Sequence, residues 1–183
     1  MNHQDHVRLI KAGIEQGSGG VWADFGAGDG AFTLALRDIA GPDVEIHAVD
    51  RDRSSLGALR SACDRAFPGS NLHLLHADFT HPLDLPSLDG ILTANAIHFV
   101  RDHVPLLASW RAYLKPEGRL VVVEYDADQG NRWVPHPLSF AAFGPIAKAA
   151  GYEQPRLIST VPSRFLRGMY AAVTMSAPVP ATR

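Results

Sequence analysis

The sequence predicts an α/β domain built on a mostly parallel sheet that finishes in an antiparallel hairpin. Three observations point there. Five apolar runs with strand character alternate with helical stretches. A glycine-rich turn joins the first of those runs directly to a helical pattern. Near the C-terminal end two further β runs lie too close together for a crossover helix, so they must pair antiparallel.

Taken in order, a first helix is expected from about His6 to Gln16, ahead of strand one. The five predicted strands are Val21–Asp24, Val44–Val49, Asn71–His76, Ile91–Ala94 and Arg119–Tyr125. Phe32, Leu34, Ala35, Leu36 and Ile39 share one helix face; Leu56, Leu59, Ala62, Cys63 and Ala66 share a second. Val104, Leu107, Ala108, Trp110, Arg111 and Leu114 share a third. Each helix runs into a breaker: Gly41-Pro42, Pro68-Gly69, and Pro116 with Gly118. Asp52 is placed to N-cap the second of these helices. A last helix spans Ser139–Ala150, closed by Gly151, and the hairpin follows as Arg156–Val161 and Met169–Met175.

The chain of 183 residues is long enough for one self-sufficient core, expected over residues 1–176, with 177–183 as a disordered tail carrying Pro178 and Pro180. Seventeen basic against 19 acidic residues, without like-charge blocks, give no electrostatic reason to expect a nucleic-acid partner. Cys63 is the single cysteine, which rules out an intrachain disulfide and suits a small buried residue. The polar amino terminus and the absence of a long apolar run predict neither signal peptide nor membrane span, with the cytoplasm as the default compartment. The histidines are scattered over separate elements without metal-ligand spacing, so no metal is expected. Nothing in the sequence reads out the oligomeric state.

The most informative stretch is Val21-Trp22-Ala23-Asp24-Phe25-Gly26-Ala27-Gly28-Asp29-Gly30. Glycines let the backbone turn tightly against a ligand, and the helix start beyond them offers unpaired N–H groups. Gly26 to Ala31 satisfies the loose dinucleotide fingerprint, with Asp50 about 20 residues on for a ribose hydroxyl. That pattern alone leaves NAD and other adenosine cofactors open. Two features separate them. Asp24, two residues before the first glycine, would repel a pyrophosphate but attract a cationic aminoacyl group. His76-Ala77-Asp78-Phe79 sets an acid and an aromatic after strand three, as suits an adenine amino group and ring.

These motifs resemble those of the class I, Rossmann-like S-adenosylmethionine-dependent methyltransferases, whose glycine motif reads roughly D/E-x-G-x-G-x-G. Here it is Asp24-Phe25-Gly26-Ala27-Gly28-Asp29-Gly30, followed by Val49-Asp50, Ala77-Asp78-Phe79 and Asp89-Gly90-Ile91-Leu92 in the family's order. The resemblance implies a three-layer sandwich with a seven-stranded sheet in the order 3-2-1-4-5-7-6. It also implies S-adenosylmethionine as cofactor. The chain departs from many relatives at Thr80–Leu88, where a proline-rich stretch replaces a helix between strands three and four. Nine extended residues reach about 30 Å, enough for a diagonal of about 22 Å, but one flank of the sheet is expected to be less covered.

On this reading Gly26, Ala27, Gly28 and Gly30 form the turn under the methionyl part and ribose. Asp24 organises the loop or takes the ammonium group, and Asp50 accepts from the ribose hydroxyls. Asp78 accepts from the adenine amino group, with Phe79 and Arg51 flanking the ring. Duller roles stand beside these: Asp24 and Asp50 as turn formers, Asp78 as a cap for the turn before Pro82, Asp29 as a helix N-terminal charge. Asn95 and His98 follow strand four, where the methyl acceptor should meet the cofactor. Asn95 is a candidate methionyl contact and His98 a candidate catalytic base or a pocket wall. Tyr125, Arg132, Trp133 and His136, on the segment leaving strand five, are candidate acceptor-binding residues; alternatively Trp133 packs near Phe140 and Phe143. The function expected is methyl transfer to a small-molecule acceptor by direct displacement. An NAD-binding oxidoreductase, or a protein that binds the cofactor without transfer activity, are the other readings.

Overall fold

The computed structural model describes residues 1–163, 166 and 168–178. The strands are β1 (Val21–Phe25), β2 (Glu45–Asp50), β3 (Asn71–His76), β4 (Leu88–Ala94), β5 (Leu114–Tyr125), β6 (Arg156–Pro162) and β7 (Gly168–Met175). The helices are α1 (His3–Ile10), α2 (Ala31–Ala40), α3 (Arg53–Ala66), α4 (His103–Arg111) and α5 (Phe140–Ala149). The strands form one sheet in the order β3-β2-β1-β4-β5-β7-β6. β3, β2, β1, β4 and β5 run parallel; β7 is antiparallel to both β5 and β6. The closing hairpin and the strand order are those expected from the sequence.

Alternation along the central strands sends side chains to two buried faces, and for this reason the strands read as nearly unbroken apolar runs. Trp22, Ile46, Leu92, Val121 and Val123 face α1, α2 and α3, packing with Leu9, Ile10, Leu36, Leu59 and Cys63. Phe25, Val49, Ile91, Leu120 and Val122 face α4 and α5, packing with Leu107, Trp110 and Phe143. Among the described residues no helix is long and apolar enough to cross a membrane.

Several boundaries differ from the sequence reading, and β4 begins at Leu88 instead of Ile91. Helix α1 starts at His3, because Asn2 and Asp5 form a reciprocal capping box: Asn2 Oδ1 accepts from the Asp5 N–H at 3.0 Å, and Asp5 Oδ2 from the Asn2 N–H at 2.9 Å. It ends at Ile10 in a 3₁₀ turn, Lys11–Gly13, and covers the sheet without lining the cleft described below. Leu114 belongs to β5, not to the preceding helix, which stops at Arg111. The strand tolerates Pro116 through an irregularity against β4, with Glu117 at φ 63. Finally, Ala177 is held rather than loose: its N–H donates to Gly151 at 3.1 Å, and Arg111 donates to its carbonyl. The rest of the expected disordered tail, beyond Pro178, lies outside the described residues.

Residues 77–87 link β3 to β4 without a helix. Leu83 and Leu85 lie partly buried on the α4 side of the sheet, and the Leu83 N–H donates to the Tyr113 hydroxyl at 2.8 Å. The amino-terminal halves of β2 and β3 keep polar side chains on that side: Glu45 is half-buried, and Asn71 and His73 are exposed.

Candidate functional site

The carboxyl ends of β1, β2 and β4 meet where the strand order reverses, the usual ligand position in open α/β sheets. The turn after β1 is built by the backbone. The N–H groups of Gly26 and Ala27 both donate to Val49 O, at 2.9 and 3.1 Å. The Gly28 N–H donates to Asp50 Oδ2 at 2.8 Å, while Asp50 Oδ1 accepts from the Asp52 N–H, also at 2.8 Å. Asp52 then N-caps α3, as the sequence predicts, and the Ser54 and Ser55 donors hold its carboxyl down at about 2. Gly26 has φ 79, and a Cβ there would sit 2.4 Å from the Ala96 Cβ, so only glycine lets the turn pass under the β4 loop.

Asp24 is buried beneath this turn, and its Oδ2 accepts from Thr33 Oγ1 at 2.6 Å. Loss of solvent pushes its carboxyl up to about 7, against the lowering effect of the Thr33 hydroxyl. It therefore ties β1 to α2 and stands off the cleft wall. Ala27 and Gly30 are buried in the turn, and Gly28, half-buried, has open space where a Cβ would stand; none of the three lines the cleft.

A cleft of about 610 Å³ opens above, a volume suited to a nucleoside-sized ligand. Gly26, Asp50, Arg51, Asp78, Phe79 and Asn95, all nominated from the sequence, line it. Asp78 Oδ1 is occupied by the Thr80 hydroxyl and N–H, at 2.7 and 2.9 Å, which hold its carboxyl below the ordinary range. The Phe79 ring sits against Phe25 and Trp110, and its carbonyl accepts from Trp110 Nε1 at 3.1 Å, fixing that wall. Asn95 has a left-handed backbone, φ 52, and its buried Oδ1 has no hydrogen-bond partner among the described residues. Ala77, Thr80, Ala96, Phe99, Val100 and Arg101 complete the lining. The sequence reading passed over Phe99-Val100-Arg101, an aromatic and basic run at the carboxyl edge just beyond His98. Phe99 stands 55% exposed at the mouth.

His98 is buried behind that mouth, paired with a residue the sequence reading gave no role. Its Nδ1 lies 3.0 Å from both carboxylate oxygens of Glu124, which is wholly buried on β5. Glu124 also accepts the His98 N–H at 3.2 Å and the Tyr125 N–H at 2.8 Å. An acid inside Val121-Val122-Val123-Glu124 was the available signal, since a buried carboxylate requires a partner. Tyr125 places its ring 5.6 Å from His98, and burial raises its hydroxyl pKa. The His136 N–H donates to His98 O at 2.9 Å, drawing the loop after β5 to the site. Arg132 lies over the Trp133 ring at 5.7 Å, but Trp133 is 69% exposed, and neither residue lines the cleft. Phe140 and Phe143 pack instead on Tyr170.

A curated relative, "Probable cobalt-precorrin-6B C(15)-methyltransferase (decarboxylating)" from Thermoplasma volcanium, is 31% identical over 113 residues, covering 58% of this chain. The chain spans only 55% of that relative's length. Among solved structures, a SAM dependent methyltransferase from Aquifex aeolicus superposes with a TM-score of 0.72 at 19% identity, over 94% of this chain and 90% of its own. The Burkholderia thailandensis 1,6-didemethyltoxoflavin-N1-methyltransferase, with 1,6-didemethyltoxoflavin and S-adenosylhomocysteine bound, gives 0.74 at 15% identity, over 97% and 79%. These two likenesses speak to the fold. The profile of the methyltransferase domain family matches residues 23–122, which include the glycine turn, the cleft and most of the parallel sheet, and the chain belongs to that family.

Proposed function

We propose that the chain is an S-adenosylmethionine-dependent methyltransferase acting on a small-molecule acceptor. The observation that carries this reading is the donor set of the cleft: the carboxylates of Asp50 and Asp78, and the unpartnered buried Oδ1 of Asn95, all acceptors, around an aromatic wall at Phe79. That set fits a ligand rich in donors, with ribose hydroxyls, an exocyclic amine and an ammonium group. S-adenosylmethionine would supply an activated methyl group on a sulfonium, so alignment and exclusion of water carry much of the catalysis.

The residues divide the work by position. Asp50, already anchored by two backbone N–H groups, would hold the ribose hydroxyls with its remaining lone pairs. Asp78 would take the adenine amine through Oδ2, its Oδ1 being committed to Thr80. Arg51 and Phe79 would flank the ring, and Asn95 Oδ1 would receive the ammonium group. Asp24 acts through the turn it braces. Glu124 accepts from His98 Nδ1–H, which leaves Nε2 as the lone-pair nitrogen able to take a proton from an acceptor hydroxyl or amine. Phe99 and Arg101 at the mouth, with Tyr125 and His136 beside His98, would form the acceptor's surroundings, and Arg132 and Trp133, on the loop outside the cleft, would supply outer contacts to it. The balanced charge, and the 1,6-didemethyltoxoflavin bound by the Burkholderia neighbour, support a small acceptor over a polymer.

Incubation with methyl-labelled cofactor and a fractionated cell extract tests this reading. Label should appear in the small-molecule fraction. His98→Ala should lower kcat by about 10²–10⁴-fold while leaving cofactor affinity unchanged. Label confined to macromolecules would overturn the small acceptor, and cofactor binding without any transfer would leave a binding protein.

A further inference from the structure

The helix missing between β3 and β4 leaves polar residues on a sheet face where apolar ones would otherwise be covered. In register, Glu45 on β2 faces Asn71 on β3, and His47 faces His73, so all four side chains share one face. His47 Nε2 lies 2.8 Å from Glu45 Oε1, and His73 Nε2 lies 3.7 Å from the same oxygen. The two imidazoles stack with centroids 4.7 Å apart and planes 15° from parallel. One ligand atom from each of Glu45, His47 and His73 can be chosen so that all three lie within 4.8 Å of one another. Outside the trio, Asn71 Nδ2 donates to Glu45 Oε2 at 3.4 Å, holding the second carboxylate oxygen.

We propose that Glu45, His47 and His73 form a divalent transition-metal site, with zinc as its natural occupant. Two imidazole nitrogens and one carboxylate oxygen are a recognised zinc ligand set that leaves a coordination position open to water. In a tetrahedral site, metal–ligand bonds of about 2.0–2.2 Å place neighbouring ligand atoms about 3.3–3.6 Å apart. The two contacts to Glu45, at 2.8 and 3.7 Å, lie either side of that range, the two imidazole ligand atoms lie within 4.8 Å of each other, and rotation of the exposed His73 ring out of its stack on His47 would bring its nitrogen toward both partners. On binding, the metal takes the place of the hydrogen between His47 Nε2 and Glu45, and the neutral imidazole carries its proton on Nδ1 instead. The ligands come from adjacent strands, so the ion bridges edge strand β3 to β2 where no helix covers them. Sequence spacing alone hides the site, because His47 and His73 meet only through the strand pairing. The site lies toward the amino ends of β2 and β3, away from the cleft at the carboxyl ends, and is independent of the methyl-transfer reading.

Competition with a chromophoric chelator measures zinc affinity and stoichiometry on the full chain. One zinc per chain is expected, and Glu45→Gln or His73→Ala should each weaken it at least about tenfold. His3→Ala, which removes a distant exposed imidazole, should leave it unchanged. Zinc should raise the melting temperature of the unaltered chain and not that of His73→Ala, with circular dichroism showing that both fold. Cobalt should give a visible absorption band that His73→Ala abolishes. Less than one zinc per chain, or affinity indifferent to both substitutions, would overturn the proposal.

Discussion

Asp24 shows how one residue can be legible in the sequence while its chemistry is not. Its place before the glycine turn was readable, but its complete burial and its bond to Thr33 depend on how β1 and α2 pack. Its carboxyl titrates near 7 in the folded protein, against an ordinary 3.8, because burial disfavours the charge. Below 3.8 both states hold the proton and pH has no leverage. Between 3.8 and about 7 the unfolded chain releases the proton while the native one keeps it, so this group makes stability fall as pH rises. The loss amounts to about 4 kcal/mol over that window and levels off above it. Asp24→Asn, which keeps an acceptor for Thr33, should remove this contribution in denaturant titrations across pH; an unchanged profile would place the titration elsewhere. Glu124 is the opposite case. Its partner is 26 residues away in sequence, and only the β4–β5 pairing brings His98 to it. If Glu124 positions His98, Glu124→Gln should lower kcat with little change in KM and alter the pH–rate profile.

At the scale of elements, the strands and most helix ends were readable because they carry local marks: apolar runs, Asp52 as an N-cap, Gly41 and Gly151 as stops, while Ser139, read as the first residue of the last helix, is its N-cap. Where the reading slipped, the decisive interaction was of another kind. The Asn2–Asp5 box begins α1 earlier than its apolar pattern does, and the irregularity at Pro116–Glu117 lets β5 begin before its apolar run. The approach of α2 to α3 is set by Gly30, whose φ is 95 and where a Cβ would meet Leu59 Cδ1 at 2.2 Å. Gly30→Ala should therefore destabilise the fold by about 1–3 kcal/mol, read as a lower denaturation midpoint. An unshifted midpoint would mean that the turn after β1 tolerates a side chain and that the two helices do not constrain it.

For the whole molecule, alternation and the short final hairpin established a mostly parallel sheet with an antiparallel close, whereas the strand order came from the motif resemblance and not from spacing. The polar patch on this flank could be anticipated only as thin cover of the sheet where Thr80–Leu88 replaces a helix, since its residues assemble across two strands. The cleft, by contrast, was largely legible: its floor, its two half-buried carboxylates and Asn95 all sit at strand ends marked by motifs, while Phe99 to Arg101 carried no motif to mark them. The account rests on that cleft holding an adenosyl sulfonium cofactor. Calorimetric titration of the unaltered chain and Asp50→Ala with S-adenosylmethionine, S-adenosylhomocysteine and NAD tests it most directly. Both adenosyl sulfur compounds should bind the unaltered chain at one per chain and bind Asp50→Ala at least about tenfold more weakly, a loss of about 1.4 kcal/mol or more, with no heat from NAD. Tight binding of NAD with no association of either sulfur compound would contradict it.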